Sequence, residues 1–176
     1  MKTQYLAALM TGALFLGFTS LSQADSHSGG KYAVAPVTNQ QYQDDCGACH
    51  FAYQPGLLPA SSWRKLMDNL ADHFGENAEL DAVNKQSLLA YLEKNSADNS
   101  SAYLSRKVMR SLPRKRTVMK ISKLGFIAHE HDEIPRRFFK GDLQGLTNCN
   151  ACHQRAAEGS YNENEIKIPG YGRWDD

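Results

Sequence analysis

The chain has 176 residues, 41% of them hydrophobic, and 20 Lys+Arg stand against 19 Asp+Glu for a formal net charge of +1. Such a balance argues against general nucleic-acid binding, which wants a basic domain. The charge is unevenly spread: residues 25–100 hold 5 basic and 10 acidic side chains, residues 101–145 hold 11 and 4, and residues 146–176 hold 3 and 5.

Met1-Lys2 forms a short positive start, Tyr5 to Phe18 is an apolar run, and Ser22-Gln23-Ala24 puts small residues where a signal peptidase reads. The pattern predicts a secretory signal peptide over residues 1–24, cut after Ala24. The run falls short of the roughly 20 residues that a bilayer span needs, so an uncleaved anchor is the lesser alternative. The remaining 152 residues suffice for one compact domain or two small lobes. Asp25 to Lys31 reads as a loose tail, and His27 on it as a bystander.

Tyr32 to Asp45 leads into Cys46-Gly47-Ala48-Cys49-His50, and the same pattern returns as Cys149-Asn150-Ala151-Cys152-His153. C-x-x-C-H is the attachment signature of a c-type haem: two thiols add across porphyrin vinyl groups and the histidine becomes an axial iron ligand. Four thiolates on one zinc ion are the competing reading. Zinc does not ask for a histidine after each pair, and with 6 histidines in the chain that coincidence would arise about once in a thousand. The motifs use all four cysteines, leaving none for a disulfide or a nucleophile. Two covalent haem c groups are the predicted cofactors, and haem attachment outside the cytoplasm agrees with export, the bacterial periplasm being the natural destination.

After His50, Phe51 to Pro59 is a Pro/Gly-punctuated loop suited to wrap a haem edge, and one of its carbonyls can take the His50 ring N–H. Ser61 or Ser62 is expected to cap a helix whose Trp63, Leu66, Met67, Leu70, His73 and Phe74 make one apolar stripe. His73, on that face, is the candidate distal ligand of the first iron, and Met67 is its rival. Gly75-Glu76-Asn77 ends the helix. Asp81 caps the next, with Val83, Leu88, Leu89 and Leu92 as its apolar positions. This order is similar to that of a class I cytochrome c with histidine in place of the usual methionine.

Ser96 to Ser101 is polar and turn-rich and marks a boundary between an N-terminal lobe (25–100) and a C-terminal lobe (101–176). Ser101 to Leu112 is a helix ended by Pro113. With Arg114-Lys115-Arg116, Lys120 and Lys123 it holds most of the basic excess, which can be a solvated face, a partner for haem propionates or a dock for an acidic redox protein. His129 and His131 follow, both candidates for the second iron; as near neighbours they cannot both serve it. The tail after Gln154 suggests nothing beyond cover for a haem edge.

Taken together, the residues resemble the bacterial dihaem cytochrome c family known as DHC. The resemblance is carried by both haem motifs, Ala52-Tyr53 with Pro55 to Ala60, Ser62-Trp63, Asp72 to Ala78, Ile121-Ser122, Glu130-His131 and Ile168-Pro169. It implies a mainly α, small two-lobed protein with a class I-like first lobe and an irregular second one. It further implies two low-spin haems, held through Cys46, Cys49, Cys149 and Cys152, each with two histidine ligands. The matching pattern has one histidine at the place of His131, so the resemblance selects His131 over His129. His129 itself departs from the pattern. The ligand pairs are then His50 with His73 and His153 with His131.

Electron transfer is the expected function, with no catalytic residues. A membrane b-type cytochrome is implied as donor, and a soluble haem protein or reductase as acceptor. The rivals are a peroxidase-like dihaem enzyme with one open haem, and a haem sensor or docked subunit.

Overall fold

The computed structural model of the protein describes residues 30–113, 117–139 and 146–174. The expected leader over 1–24, His27, Arg114-Lys115-Arg116 and most of the approach to the second motif lie outside the described residues.

Asn39 opens the first helix by accepting the Tyr42 N–H at 2.8 Å, and α1 runs Gln40–Gly47, so that the first motif begins in its last turn. Tyr42 points into the core and donates its hydroxyl to the Tyr53 carbonyl at 2.8 Å, drawing the loop after His50 against α1. That loop is buried from Gln54 to Pro59 and contains a short 3-10 turn, Pro55–Leu57. Its backbone is tied down by neighbours: Trp63 Nε1 donates to the Pro55 carbonyl at 2.8 Å and Ser105 Oγ to the Gly56 carbonyl at 2.8 Å. A side chain on Gly56 would sit 2.7 Å from Val34 Cγ2, so the close approach requires glycine.

Helix α2 spans Ala60–Asp68. It starts after Pro59, whose fixed φ suits a helix entry, and neither Ser61 nor Ser62 caps it; Ser62 lies buried inside the helix. Trp63, Leu66 and Met67 form its buried face, so Met67 is a core residue. The helix also ends earlier than its apolar periodicity suggests. A 3-10 turn over Leu70–Asp72 intervenes, and His73 follows it in a turn rather than on a helix. Phe74 and Gly75 there have φ of 60° and 101°, which an α-helix cannot accommodate.

Asp81 caps α3 (Ala82–Lys94) by accepting the N–H groups of Val83 and Asn84. Leu88 and Leu92 are buried as expected, whereas Val83 in the first turn is 76% exposed. Helix α4 covers Tyr103–Ser111 and α5 covers Gly125–His129. The tail folds back as a small antiparallel hairpin, β1 (Lys167–Ile168) with β2 (Gly172–Arg173).

One apolar cluster joins these parts. Leu57, Trp63, Leu88 and Leu92 pack in continuity with Leu104, Val108 and Leu124 from beyond residue 100. The start of the described chain also crosses over: Val34 N–H donates to the Gly159 carbonyl at 3.0 Å and Tyr161 N–H to the Tyr32 carbonyl at 2.9 Å. Among the described residues no helix is long and apolar enough to cross a membrane.

Candidate haem sites

None of the four cysteines is in a disulfide. Burial pushes the Cys46 thiol up to about 11, helped by Asp45, and burial pushes Cys149 up to about 12.

The histidines meet in two pairs. The rings of His50 and His73 lie with centroids 6.2 Å apart and planes 21° from parallel. Those of His131 and His153 stand 6.0 Å apart at 69°. Two metal–nitrogen bonds of about 2 Å each, plus about 1 Å from each nitrogen to its ring centre, span about 6 Å. The centroid separation of each pair is thus close to that of two imidazoles on one metal ion. His129 is not part of either pair: it is exposed and faces Asp132 at 3.3 Å.

Main-chain carbonyls orient one ring of each pair. His50 Nδ1 meets the Phe51 carbonyl at 2.8 Å, so the acceptor expected in the loop is its first residue. His131 Nδ1 meets the Ile127 carbonyl at 2.7 Å, a last-turn carbonyl of α5. In each case Nδ1–H is the donor and Nε2 is left with its lone pair for a metal. The other two rings, His73 and His153, have buried Nδ1 atoms with no hydrogen-bond partner among the described residues. Burial, then the nearby His131, brings His153 down to about 4; burial, then His50, lowers His73. Neutral imidazole, the ligating form, is favoured at both.

The second pair stands in a cavity lined by Leu104, Phe126, Ile127, Cys149, Cys152 and, from the tail, Ile166, Ile168 and Trp174. The tail therefore covers this site, as its composition suggested. A more open cleft has Cys49, His50 and Phe51 on one side and Asn148, Asn150 and Ala151 on the other, so the two motifs face one another.

Side chains that the sequence reading passed over hold the two motifs together. Gln54 is completely buried; its amide nitrogen donates to the Ala156 carbonyl, and its amide oxygen accepts the Tyr161 hydroxyl at 2.6 Å. Tyr161 in turn packs edge-on to the His153 ring, centroids 5.1 Å apart. Tyr53 lies 5.1 Å from the His50 ring and donates its hydroxyl to the Thr147 carbonyl at 2.6 Å. Tyr32 lines the second cavity although it precedes the first motif. No periodicity announces these long-range pairings; a glutamine in a Pro/Gly loop looks like surface.

Comparison with known proteins agrees with the geometry. The family model described as "DHC: Dihaem cytochrome c" matches residues 42–161. The chain is similar to a dihaem cytochrome type c from Shewanella baltica OS155, at 35% identity over 78% of this chain and 98% of that one, with a TM-score of 0.63. It is likewise similar to a dihaem cytochrome c from Rhodobacter sphaeroides, at 37% identity over 73% of this chain and 100% of that one, with a TM-score of 0.65. No curated protein sequence matches. The small, mainly helical chain belongs to the dihaem cytochrome c family and carries two haem c groups.

Proposed function

We propose that the protein is a periplasmic electron carrier whose two haems are both low-spin and bis-histidine ligated. His50 and His73 serve the first iron and His153 and His131 the second, with thioethers to Cys46 and Cys49 and to Cys149 and Cys152. The spacing of the two imidazole pairs, 6.2 and 6.0 Å, is the observation that carries this reading. Haem supplies one-electron chemistry, and two axial histidines favour a lower potential than a histidine–methionine pair. A class I-like lobe (25–100) and an irregular lobe (101–176) each provide both ligands of their own haem.

The residues of the chain then do three things. They saturate both irons, which leaves no position for substrate. They bring the motifs together across the cleft between Cys49 and Asn150. They also link the sites by a ring contact between His50 and Tyr53 and a hydrogen bond from the Tyr53 hydroxyl to the Thr147 carbonyl, two residues before Cys149. By analogy with the family, a membrane b-type cytochrome as donor and a soluble haem protein or reductase as acceptor fit such a carrier. Export by the N-terminal leader would put it where they meet.

The test is the spectrum of the purified holoprotein. A fully low-spin spectrum without a methionine–iron band is expected. His131→Ala is expected to turn one haem high-spin and His129→Ala to leave the spectrum intact. A high-spin haem in the wild type would instead favour a peroxidase-like enzyme, and an effect of His129→Ala alone would reassign the ligand.

A further inference from the structure

The four paired histidines are not secured alike. His50 and His131 each give a ring N–H to a main-chain carbonyl, which fixes the rotation of the ring. His73 has no such bond among the described residues, where its Nδ1 is buried without a partner. It also stands on a segment tied mainly to itself. The turn is closed by His73 N–H to the Glu76 carbonyl at 2.7 Å and by Gly75 N–H to Asp72 Oδ1 at 2.9 Å, and the Ala78 N–H bonds Leu70 at the loop's base. His131, by contrast, follows α5, which packs on α4 and the common core.

Phe74 stands against the His73 ring. Its own ring lies 4.8 Å from that of His73 at 60°. To reach this place Phe74 adopts φ of 60°, a region bulky residues avoid, and remains 45% exposed. Lys120 then places its ammonium 4.5 Å from the centre of the Phe74 ring. Among the described residues no carboxylate forms an ion pair with Lys120. An unfavourable backbone, an exposed aromatic ring and a lysine from beyond residue 100 thus converge on the one distal histidine that lacks a hydrogen bond.

We propose that Phe74 and Lys120 are positioning residues that hold His73 on the first iron, and that loosening them opens this haem, and not the second, to a small exogenous ligand such as cyanide. The proposal rests on His73 being the distal ligand of the first haem. In the exchange the iron–imidazole bond breaks and an iron–carbon bond to cyanide forms, with no change in oxidation state. The second haem resists because His131 is held by the Ile127 carbonyl.

The experiment is a cyanide titration of the oxidised holoprotein, followed by optical and electron paramagnetic resonance spectra. Phe74→Ala is expected to raise cyanide affinity about tenfold at one of the two haems. Lys120→Ala, a surface change that should not disturb folding, is expected to raise it about threefold. Phe74→Tyr and Lys120→Arg should restore wild-type behaviour. In a His73→Ala background, Phe74→Ala should add nothing. Unchanged affinity in both alanine variants, equal gains at both haems, or a persisting Phe74→Ala effect without His73 would each overturn the proposal. If His73→Ala leaves both haems low-spin, it is the ligand assignment that fails.

Discussion

Gln54 shows how much a single side chain can decide here. Its amide is fully buried, and both ends are engaged by residues near the second motif. Gln54→Leu keeps the volume but strands the Tyr161 hydroxyl, while the Ala156 carbonyl keeps the Gly159 N–H at 2.9 Å. A stranded buried group costs about 1–3 kcal/mol, so a loss of about 1–3 kcal/mol is expected in a denaturant titration. A change below about 0.5 kcal/mol would mean that water replaces the bonds. The residue scale is also where sequence reading is most uneven. Cys46 to His50 and Cys149 to His153 declare their chemistry by spacing alone. Gln54, Tyr161 and the Ile127 carbonyl declare nothing, because their roles exist only once distant segments meet.

Helices were readable where a cap or a breaker is written into the chain. Asp81 marks the start of α3, and Pro113 follows close on the end of α4. Leu66, Leu70, His73 and Phe74 keep helical spacing and so suggest a helix through His73. The chain keeps that spacing while leaving the helix, and the positive φ of Phe74 has no signal in an aromatic residue. The start of α2 is equally silent in its own residues, since its N-terminal support comes from elsewhere. Asp98 Oδ1 accepts the Ala60 N–H at 2.9 Å and the Ser96 hydroxyl at 2.5 Å. Partial burial raises the Asp98 carboxyl, but these hydrogen bonds outweigh it and leave the group below its ordinary value. Asp98→Ala should therefore cost about 1 kcal/mol at neutral pH, as loss of a helix cap does. A carboxylate lowered in the folded state gives stability that is present above its unfolded value of about 4 and is lost as pH falls through the folded value. The gap between variant and wild type should accordingly close on acidification below about pH 4, measured by thermal melting. A gap that stays constant into strong acid would show that the charge is not what matters.

At the scale of the whole molecule, the apolar cluster runs without a break from Leu57 and Leu88 to Val108 and Leu124. Two haem sites therefore share one core, and unfolding is expected to be a single transition, with haem absorbance and helix circular dichroism losing signal at the same denaturant concentration. Separate midpoints would mean that the lobes part independently. This continuity was not legible in the sequence, where the polar stretch Ser96 to Ser101 looks like a seam. In the fold Ser96 is buried, and the Ala97 N–H reaches back to the Leu58 carbonyl at 2.8 Å.

The contact between Val34 and Gly159 carries that point further. Gly159 has φ of 79°, and a methyl group added to it would stand 2.0 Å from the Val34 carbonyl oxygen, so the two backbones touch where only glycine fits. Tyr32, just before Val34, is a wall of the second cavity. A chain synthesised from its N-terminus has the Tyr32 to Val34 segment early and nothing to pair it with. Its partner arrives only after the second motif has passed. The earliest part of the chain is thus among the last to settle, and closure of the pocket around the second haem waits for nearly the full length of the polypeptide.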